Sequence, residues 1–171
     1  MMLNDPVRKA IATAIQMEKE GYAFYTKASA QTSSPSGCKI FEGLAKDELL
    51  HLESFKRIFA NEIGETEFQE LTNSSKKYAE LTVFPKDLVG QKGGSPDAND
   101  LDALNAAMNS EKEAIEYYTG ILENVNDEGV ARIIKEIIHQ EKQHYFLLEE
   151  EFNYIGKTGY WYDVDSLSQE Y

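Results

Sequence analysis

One internal spacing constrains this chain more than any other feature. Glu18-Lys19-Glu20-Gly21-Tyr22-Ala23-Phe24-Tyr25 is echoed 93 residues later by Glu111-Lys112-Glu113-Ala114-Ile115-Glu116-Tyr117-Tyr118. The same offset carries Glu48 onto Glu141 and His51 onto His144. Each half of the chain therefore supplies one glutamate and then a Glu-x-x-His pair. Residues three apart on a helix lie about 60° apart around its axis, so both members of such a pair can face one way. Glu141 and His144 fall in line with Ile134, Ile137 and Leu148, the stripe that should meet a core. A carboxylate and an imidazole there are costly to desolvate unless a charge meets them. A metal ion is the obvious candidate.

Apolar periodicity sets these residues on four helices. Asp5-Pro6 reads as a cap with proline at the first helical position, and Val7, Ile11, Ile15, Tyr22 and Tyr25 follow at helical spacing. A second helix starts near Ser36 and carries Phe41, Leu44, Leu52, Phe55, Phe59 and Ile63 up to Gly64. From there to about Asn99 the pattern fails: Glu65 to Ser75 is polar, Pro85 interrupts, and Gly90 to Pro96 is loop chemistry. So long a connection fits a crossover between parallel neighbours, with Thr82-Val83-Phe84 as a short extended piece packed across the bundle. The third helix runs from about Asp100, with Leu101, Leu104, Met108, Ile115, Tyr118 and Leu122, to Asn124-Asp127. The fourth runs from Asp127 to about Ile155, and residues 156–171, with Tyr160-Trp161-Tyr162, read as a tail laid over the bundle or a neighbouring subunit. The expected domain is residues 1–155.

Glu18 and Glu111 lie on the seams of the first and third helices, so four carboxylates and two imidazoles converge inside one bundle. Empty, that cluster repels itself; two divalent ions would neutralise the carboxylates and satisfy the nitrogens. A charge of -13 and a pI near 4.6 attract cations and repel nucleic acid and anionic membranes. The lone Cys38 excludes an internal disulfide and a cysteine-ligated iron or zinc site within the chain. No run approaches the roughly 18 apolar residues of a membrane span, and a cytoplasmic protein is expected. Tyr25 and Tyr118, seven residues after the seam glutamates, could each donate to a carboxylate on an adjacent helix. Glu20, Glu113, Glu116 and His139 are expected on solvated faces, and Cys38 is expected to be an inert thiol. Phe24 and Tyr117, at equivalent positions off the seam, imply a second apolar contact with the crossover or another subunit.

With those residues in place, the chain resembles the rubrerythrin-like branch of the ferritin-like superfamily, over roughly residues 6–63 and 100–155. The resemblance implies an all-α, ferritin-like antiparallel four-helix bundle with a long crossover between helices 2 and 3. It implies that Glu18, Glu48, His51, Glu111, Glu141 and His144 are ligands of two iron ions, although the ligand types alone also suit manganese or zinc. It further implies reaction with hydrogen peroxide or dioxygen, often in a homodimer. In such a reaction a tyrosine, Tyr25 or Tyr118, or a protonated ligand is expected to assist O–O cleavage. Two departures stand out. Rubrerythrins proper have a further glutamate where this chain has Ala114, and they carry a rubredoxin domain. Electrons would therefore come from an external donor, such as a rubredoxin-like protein. Iron handling without catalysis, and a structural zinc or manganese bundle, are the alternatives.

Overall fold

The computed structural model describes residues 5–85, 96–126 and 128–162. Five helices occupy them: α1 (Asp5–Gln31), α2 (Pro35–Ile63), α3 (Glu65–Tyr78), α4 (Pro96–Leu122) and α5 (Glu128–Thr158). Helix α2 begins where Ser34 accepts a hydrogen bond from the Gly37 N–H and Pro35 takes the first turn, which satisfies a donor that a helix end would leave open. Helix α4 begins at Pro96, four residues before the expected start. The Asp5-Pro6 side chains, residues 86–95 of the expected loop and Asp127 lie outside the described parts.

Side-chain pairs fix the helix directions. Tyr25 bonds to Glu111 and Tyr118 to Glu18, so α1 and α4 run antiparallel. His51 meets Gln140 and His144 meets Asp47, so α2 and α5 do too. The short α1–α2 hairpin then makes α2 and α4 parallel, and the chain between them must travel the bundle's length. Tyr25, Tyr118, Phe41, Phe55, Ile15, Leu44, Leu104 and Leu148 are fully buried in the resulting core.

The crossover is not irregular at its start, as the polar run suggests; residues 65–78 form α3. Gly64 turns the chain at φ 90°, which a side chain would resist, and α3 follows with no intervening loop. Only Phe68 and Leu71 are buried apolar residues on it, too few to reveal a helical period. Acidic residues in its first turn and lysines in its last suit the helix dipole. Its docking on α1 is polar: Lys19 donates to the Thr72 carbonyl, and Ser75 donates to Gln16 at 2.9 Å. Val83 and Phe84 then cross the bundle as expected. The Val83 carbonyl accepts from Ser110 of α4 at 2.8 Å, and Phe84 packs on Phe24 and Tyr25. Phe24 thus finds its second apolar contact in the crossover, whereas Tyr117 donates to the Ala10 carbonyl of α1 at 3.0 Å.

Helix α5 continues to Thr158, and Gly159, at φ 78°, ends it. Trp161 then folds back against Phe41 and donates to Asp100 at 2.7 Å, while the Tyr162 N–H donates to Glu151 at 3.1 Å. Gly37 makes room for that indole, since a β-carbon there would stand 2.7 Å from it. The expected tail beyond residue 162 lies outside the described residues. Among those described, no helix is long and apolar enough to cross a membrane.

Candidate metal centre

The two hairpins, α1–α2 and α4–α5, bring Glu18, Glu48, His51, Glu111, Glu141 and His144 together, all buried. They form two groups with donor atoms close enough to hold an ion: Glu18, Glu48, His51 and Glu141, and Glu48, Glu111, Glu141 and His144. Glu48 and Glu141 belong to both. Histidine 51 presents Nδ1 to Glu18 at 2.9 Å, to Glu141 at 3.2 Å and to Glu48 at 3.6 Å. Histidine 144 presents Nδ1 to Glu141 at 3.0 Å and to Glu111 at 3.8 Å, and the two rings stack with centroids 5.8 Å apart.

Three buried donor atoms of this cluster make no hydrogen bond of proper geometry: Glu48 Oε1, and Glu141 Oε2 and His144 Nδ1, which face each other at 3.0 Å as an ion pair. Orphaned polar atoms are expensive in a protein interior. A cation within the cluster would engage all three, so the residues fit the dinuclear metal site that the sequence implies.

Without metal, protons take over the neutralising role. Burial favours the neutral form of Glu48 and Glu111, and neighbouring carboxylates push both carboxyls further up. Burial alone would depress the two histidines, but the carboxylates around His51 raise it well above its ordinary value. Asp47, Glu141 and Glu111 overcome the same penalty at His144 and bring it to about 10. Glu141 goes the other way from Glu48 and Glu111: against its burial, contacts from His144 and His51 bring it down to about 2. A metal ligand must shed its proton. Binding of divalent metal near pH 7 is therefore expected to release about two or more protons per chain. Calorimetric zinc titrations in buffers of different ionisation enthalpy measure this directly, and a heat independent of buffer would contradict it.

Tyr25 donates to Glu111 and Tyr118 to Glu18, so each phenol grips the seam glutamate of the other hairpin. Burial and those carboxylates raise both phenols well above their ordinary range, keeping them protonated. Behind each imidazole stands a residue that the motif search passes over: Gln140 accepts from His51 Nε2 at 2.8 Å, and Asp47 faces His144 Nε2 at 3.3 Å. Both directly precede the glutamate of the opposite Glu-x-x-His pair, and the 93-residue offset relates them too.

Some expectations shift on the periphery. Tyr22 is exposed, and Gly21 takes its place on the seam, where a β-carbon would stand 2.9 Å from Glu48 Cδ. Glu20 is half-buried rather than solvated and accepts from Gln16 at 2.9 Å. Glu113, Glu116 and His139 are exposed as expected. Cys38 donates to Glu42, and desolvation together with that carboxylate raises its thiol, in keeping with an inert residue. A groove of about 720 Å³ between α2 and α5 reaches the cluster, with His51, Gln140, Leu50, Arg57 and Ile137 in its wall.

The family model described as rubrerythrin matches residues 9–152, which includes every residue of this cluster. No curated protein and no solved structure matches the chain.

Proposed function

Because the chain belongs to the rubrerythrin family, we propose that it is a di-iron oxidoreductase that reduces hydrogen peroxide or dioxygen with electrons from a separate donor protein. The observation that carries this reading is the pair of four-residue groups sharing Glu48 and Glu141. Glu18, Glu48, His51 and Glu141 would hold one ion, and Glu48, Glu111, Glu141 and His144 the other. When bound, two ferrous ions would supply two electrons, enough to cleave the O–O bond of peroxide or to take dioxygen to peroxide.

The chain's own residues bind, orient and carry protons. Glu48 and Glu141, common to both groups, would be shared between the two positions. Tyr118 Oη holds a proton against Glu18, and Tyr25 Oη holds one against Glu111, each one carboxylate away from the reacting centre. Such a phenol can deliver its proton through the carboxylate to a departing oxygen. The groove along α2 and α5 gives a small polar oxidant a route to His51. Ala114 is buried where rubrerythrins proper have a further glutamate, so this chain lacks that ligand carboxylate. These residues hold a single cysteine, Cys38, and the proposed electron source is a separate protein, for which a rubredoxin-like donor is the fitting class. A homodimer in the cytoplasm completes the proposal; the exposed Leu49, Leu50, Phe146 and Leu147 on α2 and α5 support the pairing of two copies.

Single-turnover mixing of the ferrous-loaded protein with peroxide and with oxygen tests it. Rapid oxidation of two irons per chain by at least one oxidant is expected, slowed about 100-fold by Tyr118→Phe with Tyr25→Phe. No oxidation would refute an enzyme, accumulation of many irons per chain would indicate storage, and zinc filling the site of the protein as purified would indicate a structural bundle.

A further inference from the structure

The repeat makes the direct donor sets of the two metal positions equal: three carboxylates and one imidazole each, with Glu48 and Glu141 common to both. The phenols are equal as well, Tyr118 on Glu18 and Tyr25 on Glu111. The equality ends behind the histidines. His51 Nε2 donates to the neutral amide oxygen of Gln140 at 2.8 Å. The amide is held in that sense by its own nitrogen, which donates to Glu136 at 3.2 Å. His144 Nε2 faces the Asp47 carboxylate at 3.3 Å.

We propose that the two positions are inequivalent by design of this second contact, and that the position at His144 takes its metal first and holds it more tightly. This rests on the dinuclear reading above. A carboxylate that accepts a histidine's outer N–H leaves more electron density on the nitrogen facing the metal, whereas a neutral amide does so weakly. Partners of this kind change metal affinity by about 10- to 100-fold. Asp47 is about half exposed, at 46 %, and its bond is the longer of the two, so water screens it. That places the expected preference near the lower end, about tenfold. Asp47 and Gln140 are positioning residues: they touch the imidazoles and act through them.

Two ions in adjacent positions repel, so two-step binding by itself would not reveal inequivalence. The order in which the histidines engage does. The chain has three histidines, and the exposed His139 serves as an internal reference. Protein labelled with ¹⁵N-histidine, stripped of metal and titrated with zinc should show the metal-bound shift at His144 Nδ1 during the first equivalent. His51 Nδ1 should follow only with the second. Asp47→Asn combined with Gln140→Glu and Glu136→Gln, which moves the carboxylate behind His51 and keeps the partner of residue 140, should reverse that order. Simultaneous shifts at the two histidines in the natural chain, or His51 shifting first, would overturn the ordering while leaving the dinuclear site intact. Two equivalents bound with no shift at either histidine, or no binding at all, would overturn the dinuclear reading and the ordering with it.

Discussion

Replacing Glu141 with alanine is expected to abolish tight metal binding at both positions, with affinity falling more than about 100-fold for each ion. The carboxylate lies 3.2 Å from His51 Nδ1 and 3.0 Å from His144 Nδ1, and it belongs to both donor groups. Loss of a group that merely supports a ligand costs about 10- to 100-fold, so loss of a shared donor exceeds that range. The metal-free fold should weaken too. Glu48 and Glu111 already escape repulsion by holding protons, so removing Glu141 relieves little and leaves two charged imidazoles short of a partner. Breaking a buried ion pair costs about 3–5 kcal/mol, which in a chain of this size lowers the melting temperature by roughly 10 °C.

The sign of its pH dependence follows from the depressed carboxyl. A group held at about 2 in the fold contributes stability that is fully present above its ordinary value of 4.5 and is lost as pH falls toward 2. The metal-free Glu141→Ala protein should therefore differ most from the natural chain at neutral pH and converge with it in acid. Elemental analysis and thermal melts across pH decide this. Two ions retained per chain at natural affinity would refute the shared role.

Gly21→Ala should separate the two effects, with little change in the fold and a large one in metal binding. In an ordinary helix this substitution stabilises by about 1 kcal/mol. Here the new methyl would stand 2.9 Å from Glu48 Cδ, 3.0 Å from Glu48 Oε1 and 3.1 Å from Phe84. Overpacking of that kind costs about 1–3 kcal/mol, so the net change in metal-free stability is small, about 1 kcal/mol or less of destabilisation where the side chains yield. The part that can yield is the flexible end of Glu48, which belongs to both donor groups. Zinc affinity is expected to fall about tenfold or more while the metal-free melt shifts by only a few degrees. Unchanged zinc affinity would show that Glu48 has no fixed position to lose.

What the sequence discloses depends on the kind of signal each element carries. The long helices and the six converging donors are legible because buried stripes repeat at helical spacing, and because an offset shared by glutamates and histidines is hard to mimic. Helix α3 is hidden because its contact with α1 runs through Lys19, Gln16 and Ser75 rather than through an apolar stripe. Tyr22 misleads for a related reason: its size places it on the seam, yet the position beside Glu48 has room only for Gly21. Asp47 and Gln140 carry a signal that becomes readable only once the repeat is extended one residue beyond the recognised pair. Trp161 is legible as part of a tail laid over the bundle, but its partners Phe41 and Asp100 are not, since they are distant in the chain.

Each donor group draws on both hairpins, three residues from one and a single glutamate from the other. Half of this chain could complete such a site by pairing with an identical half, as a two-fold symmetric dimer of hairpins. In such a dimer any residue placed behind one histidine would appear behind both. Carrying both hairpins in one polypeptide lifts that constraint, so that Gln140 can stand behind His51 and Asp47 behind His144.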